Sequence, residues 1–140
     1  MANKQTLRGM ATLNFYAVDV AAASKWYGEL LGIEPYFQRA DAENLAYVEF
    51  RIGDYQDELG IINARYAPKN AATPFGGAVT YWHVDDLEGM LEKLKAMGAK
   101  EYEPITKRGE GFVTASVIDP FGNVLGIMYN SHYLEVFGAS

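Results

Sequence analysis

The chain contains no cysteine, which excludes a disulfide framework and any thiolate metal site. Histidine is almost as scarce, with His83 and His132 the only two. Basic residues are outnumbered, 12 Lys and Arg against 18 Asp and Glu, for a net charge of -6. That balance argues against a nucleic-acid partner: phosphate binding needs clustered cations, and Lys107-Arg108 is too short a run. No apolar stretch approaches the roughly 20 residues of a membrane span. MANKQTLRGMATLNF at the N-terminus has no apolar signal-type segment, so a cytoplasmic protein with no membrane partner is expected. Also missing are a glycine-rich phosphate loop, a His-Glu-x-x-His helix and a serine elbow, which removes the common nucleotide, zincin and hydrolase readings.

What is present fits one compact domain spanning 1–140, since 49% of the residues are hydrophobic and 14% aromatic. Two apolar runs, ELGIIN (58–63) and DPFGNVLGIM (119–128), each carry a glycine where a strand is weakened by it, Gly60 and Gly126. They lie 66 residues apart, and the same offset matches Val18/Val84, Asp19/Asp85, Gly32/Gly98, Tyr36/Tyr102, Ile52/Ile118, Leu59/Leu125 and Ile61/Ile127. Roughly three such identities are expected by chance, so the chain reads as an internal repeat. Module 1 covers about 10–63 and module 2 about 78–130. A Pro- and Gly-containing linker, 64–77, joins them, and a tail, 131–140, follows.

Each module predicts β-α-β-β-β. An aromatic-rich strand, about Thr12 to Ala17 and again Ala78 to Val84, leads to an Asp able to cap a helix, and Gly32 or Gly98 closes that helix. Ala23, Trp26, Tyr27, Leu30 and Leu31 form one core stripe; Leu87, Met90, Leu91 and Leu94 form the other. The turns 53–57 and 119–123 are rich in residues that accept turn geometry, and KRGEGF (107–112) reads as a surface loop or a mobile lip.

VDVAAASKWYGELLG (18–32), HVDDLEGMLEKLKAMGA (83–99) and DPFGN (119–123) resemble the vicinal oxygen chelate superfamily of glyoxalases, bleomycin-resistance proteins and extradiol dioxygenases. The resemblance implies an α+β fold of two tandem βαβββ modules whose curved sheets form a cleft, and a homodimer. In metal-dependent members the ligands come from the first and last strands of each module. Those positions fall here on Thr12, on Val79 or Ala78, and on Gly60 and Gly126, which offer no imidazole or carboxylate. A cleft with no cofactor is therefore expected, a divalent metal on other ligands being the alternative.

Strand alternation puts Thr12, Asn14 and Tyr16 on one face, with Leu13, Phe15 and Ala17 towards the helix. It groups Tyr81 with His83, Glu58 with Gly60, and Met128 with Gly126. Thr12, Asn14, Tyr16, Glu58, Tyr81, His83 and Met128 are the expected ligand-binding residues. Along the third strand, Tyr47, Glu49 and Arg51 alternate with Val48, Phe50 and Ile52, and either set could face inward. His83 reads either as a general base or as a strand-end histidine bonded near Asp85-Asp86. Three functions follow. The first is a metal-free binder of a small aromatic or amphipathic ligand; the second is an enzyme with non-standard metal ligands or with His83 and Tyr16 as acid and base. The third is a regulatory domain without ligand.

Overall fold

The computed structural model describes residues 7, 8, 10–41, 44–67 and 78–139. The chain divides into two units, 1–67 and 68–140. Most of the expected linker, 68–77, lies outside the described residues; its first part forms a 3-10 turn, Ala64–Tyr66.

Unit 1 contains β1 (Thr12–Ala17), α1 (Val20–Leu31), β2 (Phe37–Asp41), β3 (Asn44–Ile52) and β4 (Asp57–Asn63). The strands form sheet A in the order β1-β4-β3-β2, with β1 and β4 parallel and the remaining pairs antiparallel. Asp19 starts α1 by accepting a hydrogen bond from the Ala22 N–H at 3.0 Å, and Gly32 ends it in the left-handed region at φ 71°. Val20, Ala23 and Tyr27 are buried against Phe15, Val48, Phe50, Leu59 and Ile61, while Trp26, Leu30 and Leu31 sit half-buried at the margin. On β3 it is Ala46, Val48, Phe50 and Ile52 that are buried, which settles the parity left open by the sequence.

Unit 2 contains β5 (Tyr81–His83), α2 (Leu87–Ala96), β6 (Lys100–Gly109), β7 (Phe112–Ile118), β8 (Val124–Asn130) and a helix in the tail, α3 (Ser131–Ala139). Sheet B repeats the order, β5-β8-β7-β6, with β5 and β8 parallel. Leu87, Leu91 and Leu94 pack with Ala115, Val117, Leu125 and Ile127. The buried Asp119 fixes the β7–β8 turn: one carboxylate oxygen accepts from the Phe121 and Asn123 N–H groups, each at 2.8 Å.

Several expectations are corrected. The strand expected over 78–84 shrinks to Tyr81–His83, because the ladder to β8 closes with single bonds on either side, Gly126 N–H to Thr80 O and Val84 N–H to Met128 O. KRGEGF is a hairpin turn: β6 runs to Gly109, which pairs with Phe112, and Gly111 takes φ 67°. The 66-residue offset is also incomplete. Asp86, and not Asp85, caps α2 by accepting from Gly89 N–H at 3.0 Å. Asn14 faces Gly60, whereas Tyr81 faces Gly126, so the first strands are related by 67 residues. Glu49 and Ser116 face the same two glycines, giving 67 again. The Leu-Gly-Ile strands, the helix-closing glycines and the start of the edge strands keep 66, since Phe37 pairs with Glu49 as Glu103 does with Ser116, whereas Val18/Val84, Asp19/Asp85 and Ile52/Ile118 are identities without structural equivalence.

Candidate functional site

α1 covers one face of sheet A. The other face carries Thr12, Asn14 and Tyr16 from β1, Glu58, Gly60 and Ile62 from β4, and Tyr47, Glu49 and Arg51 from β3. These side chains form a connected polar network. The Thr12 hydroxyl donates to Glu58 Oε1 at 3.0 Å, and Arg51 reaches Glu58 Oε2 at 3.2 Å. The Tyr47 hydroxyl donates to Glu49 Oε1, and Glu49 and Glu58 stand on neighbouring antiparallel strands of the same face. Aromatic rings border the network. Phe37 meets Tyr47 edge-on at 6.2 Å between centroids, and the Arg51 guanidinium lies 4.9 Å above the Tyr36 ring.

Two carboxyls on one face of neighbouring strands do not ionise independently. Burial, then the hydrogen bond and charge of Glu58, hold the Glu49 carboxyl above the usual carboxylate range, with Arg51 pulling it back. Glu58 is held below that range, first by the Thr12 hydroxyl and then, against burial, by Glu49 and Arg51. Burial followed by the Glu58 charge raises the Tyr47 phenol.

The two strand glycines now have a physical reason. A Cβ on Gly60 would lie 2.3 Å from Asn14 Oδ1 and 2.6 Å from the Tyr47 hydroxyl oxygen. A Cβ on Gly126 would lie 2.6 Å from the Tyr81 ring and 2.8 Å from the backbone oxygen of Thr80. In each sheet the glycine leaves room for a neighbour's side chain to lie across the strand.

Of the expected ligand-binding residues, Thr12, Asn14, Tyr16 and Glu58 share the open face of sheet A. Tyr81 and Met128 are in sheet B, where His83 pairs with Met128 and Tyr81 with Gly126. His83 is a packed residue: its side chain is 8% exposed. Nδ1 accepts the Asn130 N–H at 3.1 Å, which leaves Nε2 to donate to Asp85 Oδ1 at 3.0 Å. Its ring stacks on Tyr133 of α3 at 4.9 Å and 9°. With both nitrogens engaged, this imidazole fits the strand-end reading. His132, on α3, pairs with Glu135 at 3.5 Å. Tyr47 and Glu49 were missing from the sequence-derived set; the Tyr-x-Glu-x-Arg alternation was the available signal, but its parity depends on the register with β4. A surface groove of about 470 Å³ beside α1, lined by Ala21, Lys25, Gly28 and Glu34 among others, shares no residue with the network.

The profile of the Glyoxalase/Bleomycin resistance protein/Dioxygenase superfamily matches residues 9–127. The chain belongs to this superfamily. Solved structures with the same fold include a glyoxalase-related enzyme from Fulvimarina pelagi, at 21% identity and TM-score 0.68, covering 89% of this chain and 90% of that one. A lactoylglutathione lyase from Agrobacterium tumefaciens gives 18% identity and TM-score 0.64, with coverage of 91% and 98%. A bleomycin resistance determinant encoded on the transposon Tn5 gives 22% and 0.59, with coverage of 87% and 98%. No curated protein sequence gives a significant match.

The superfamily's metal chemistry does not fit the residues at its ligand positions. The register equates Thr12 with Val79, an apolar side chain. The Thr12 hydroxyl is committed to Glu58, and the space beside Gly60 and Gly126 is filled by Asn14, Tyr47 and Tyr81. Among the described residues, no group of three or more His, Cys, Asp or Glu is placed to hold a metal ion. No described helix is long and apolar enough to cross a membrane.

Proposed function

We propose that this chain is a metal-free binding protein, of bleomycin-resistance-like kind, that holds a small aromatic or amphipathic molecule on the open face of sheet A. The observation that carries the reading is the polar centre of Thr12, Asn14, Tyr47, Glu49 and Glu58 inside an aromatic border. Sites of this make-up bury an apolar body and fix its orientation with a few placed polar groups. Glu58 and Asn14 Oδ1 accept from the ligand's donors, and Phe37 and Tyr16 flank its apolar part. The proposal includes a cytoplasmic homodimer, whose stoichiometry light scattering measures.

Titration of a compound library, read by amide chemical shifts, tests it. Binders are expected to shift residues 12–16, 47–51 and 58–62, and Tyr47→Phe or Glu58→Gln to weaken them about tenfold, the loss of one charge-assisted hydrogen bond. Binders that ignore both substitutions would sink the reading. The neighbouring Glu49 and Glu58 favour a second reading, metal-free acid–base catalysis, because carboxyls with opposed titration separate acid from base. Under that reading Glu49→Gln abolishes turnover while leaving binding within a few fold.

A further inference from the structure

The C-terminal helix is seated by a contact that resembles a bound ligand. Asn130 begins α3, its side-chain oxygen accepting from the His132 and Tyr133 N–H groups at 3.0 and 3.3 Å. Ser131 N–H donates to Gly111 O at 2.9 Å. Tyr133 then lays its ring on the His83 imidazole, nearly parallel, while Tyr129 approaches the same imidazole at 5.3 Å and 51°. Asn130 and Asp85 hold the two ring nitrogens, so the imidazole presents a fixed planar wall. The helix itself is far from buried: Leu134, Val136 and Phe137 are 37%, 51% and 42% exposed.

We infer that the His83 face is a binding slot for a planar aromatic ring, that Tyr133 fills it as an internal competitor, and that α3 is the strap that lifts when a ligand's ring takes that place. The slot and the sheet A network have no residue in common. Ligand affinity is then reduced by the fraction of time the strap is lifted, a cost that removing the Tyr133 ring abolishes.

The probe is p-cresol, the tyrosine side chain as a free molecule, titrated into the full chain. Nuclear magnetic resonance follows the His83 ring, and hydrogen exchange follows residues 131–139. The expected result is that p-cresol shifts the His83 signals, speeds exchange across α3 in the wild type, and binds Tyr133→Ala at least tenfold more tightly. Shifts at His83 with unchanged exchange in α3 would make Tyr133 a plain structural stack and overturn the inference. Equal affinity for variant and wild type, or no response of His83 in either, would do the same. If Tyr133→Ala fails to fold, Tyr133→Leu keeps apolar bulk without the ring and is expected to show a smaller gain. Unperturbed signals from Thr12 and Asn14 separate this slot from the sheet A site.

Discussion

The open faces of sheets A and B descend from the same strand order but are built for different tasks. On sheet A, Tyr16 stands where sheet B has His83, and the strand partners supply Glu49, Glu58 and Arg51. On sheet B the positions equivalent to Glu49 and Arg51 are Ser116 and Ile118, and the ring of Tyr81 lies across Gly126. Sheet A joins Glu49, Glu58 and Arg51 around its glycine, whereas on sheet B Glu103 and Arg108 bond to Ser116 and Thr114 and aromatic rings stack under α3. Equal backbones thus carry unequal chemistry, and the difference lies in which side chains cross the two glycines.

The largest break in this comparison is expected from His83→Ala. It removes a stacked, buried ring and leaves the Asn130 N–H without its acceptor, for a loss of about 3 kcal/mol in denaturant unfolding. The equivalent Tyr16→Ala on the exposed face costs about 1 kcal/mol. A second pair probes the glycines. Gly126→Ala forces a backbone oxygen to move and is expected to cost about 2–3 kcal/mol, whereas Gly60→Ala displaces only the ends of Asn14 and Tyr47 and costs about 1 kcal/mol. Equal costs would mean that the two strands tolerate crowding alike.

Next comes pH. Glu49, raised in the folded chain, contributes stability that is present below the unfolded carboxyl value and lost as pH rises through the folded one. Glu58, lowered, contributes stability that is present above its unfolded value and lost as pH falls through the folded one. The pair is most favourable between these limits. Glu49→Gln should therefore gain on the wild type as pH rises from acid towards neutral, read as a widening gap in melting temperature. A gap that narrows over that range would contradict the arrangement. The smallest effect is expected from Arg51→Ala, within about 0.5–1 kcal/mol, because its bridge to Glu58 is solvent-screened, with the Arg51 side chain 45% exposed.

Much of the scaffold was legible in the sequence because its signals are local. Asp19 capping, Gly32 closure and the apolar stripes of α1 and α2 each depend on residues within a few turns of one another. The face of β1 was legible for the same reason. The inward set of β3 was not, since it is decided by pairing with β4 across the turn at 53–56. α3 was missed because its N-cap, Asn130, belongs to the end of a strand and its anchoring ring packs on a residue 50 positions earlier. The site followed this rule: Thr12, Asn14 and Glu58 were reached by alternation, whereas Tyr47 and Glu49 needed the register.

The places where the 66-residue offset becomes 67, and returns, also mark where the duplicated halves tolerated change in length. α2 is shorter than α1, β6 is an irregular edge strand of ten residues, and the connection from Ile118 to Val124 has one residue fewer than the equivalent one from Arg51 to Glu58. No residue was gained or lost within the Leu-Gly-Ile strands, where a single insertion would exchange every buried side chain for an exposed one. The two halves thus differ in length only at helix ends, edges and turns. A designer grafting a peptide into this protein has the same three places to choose from.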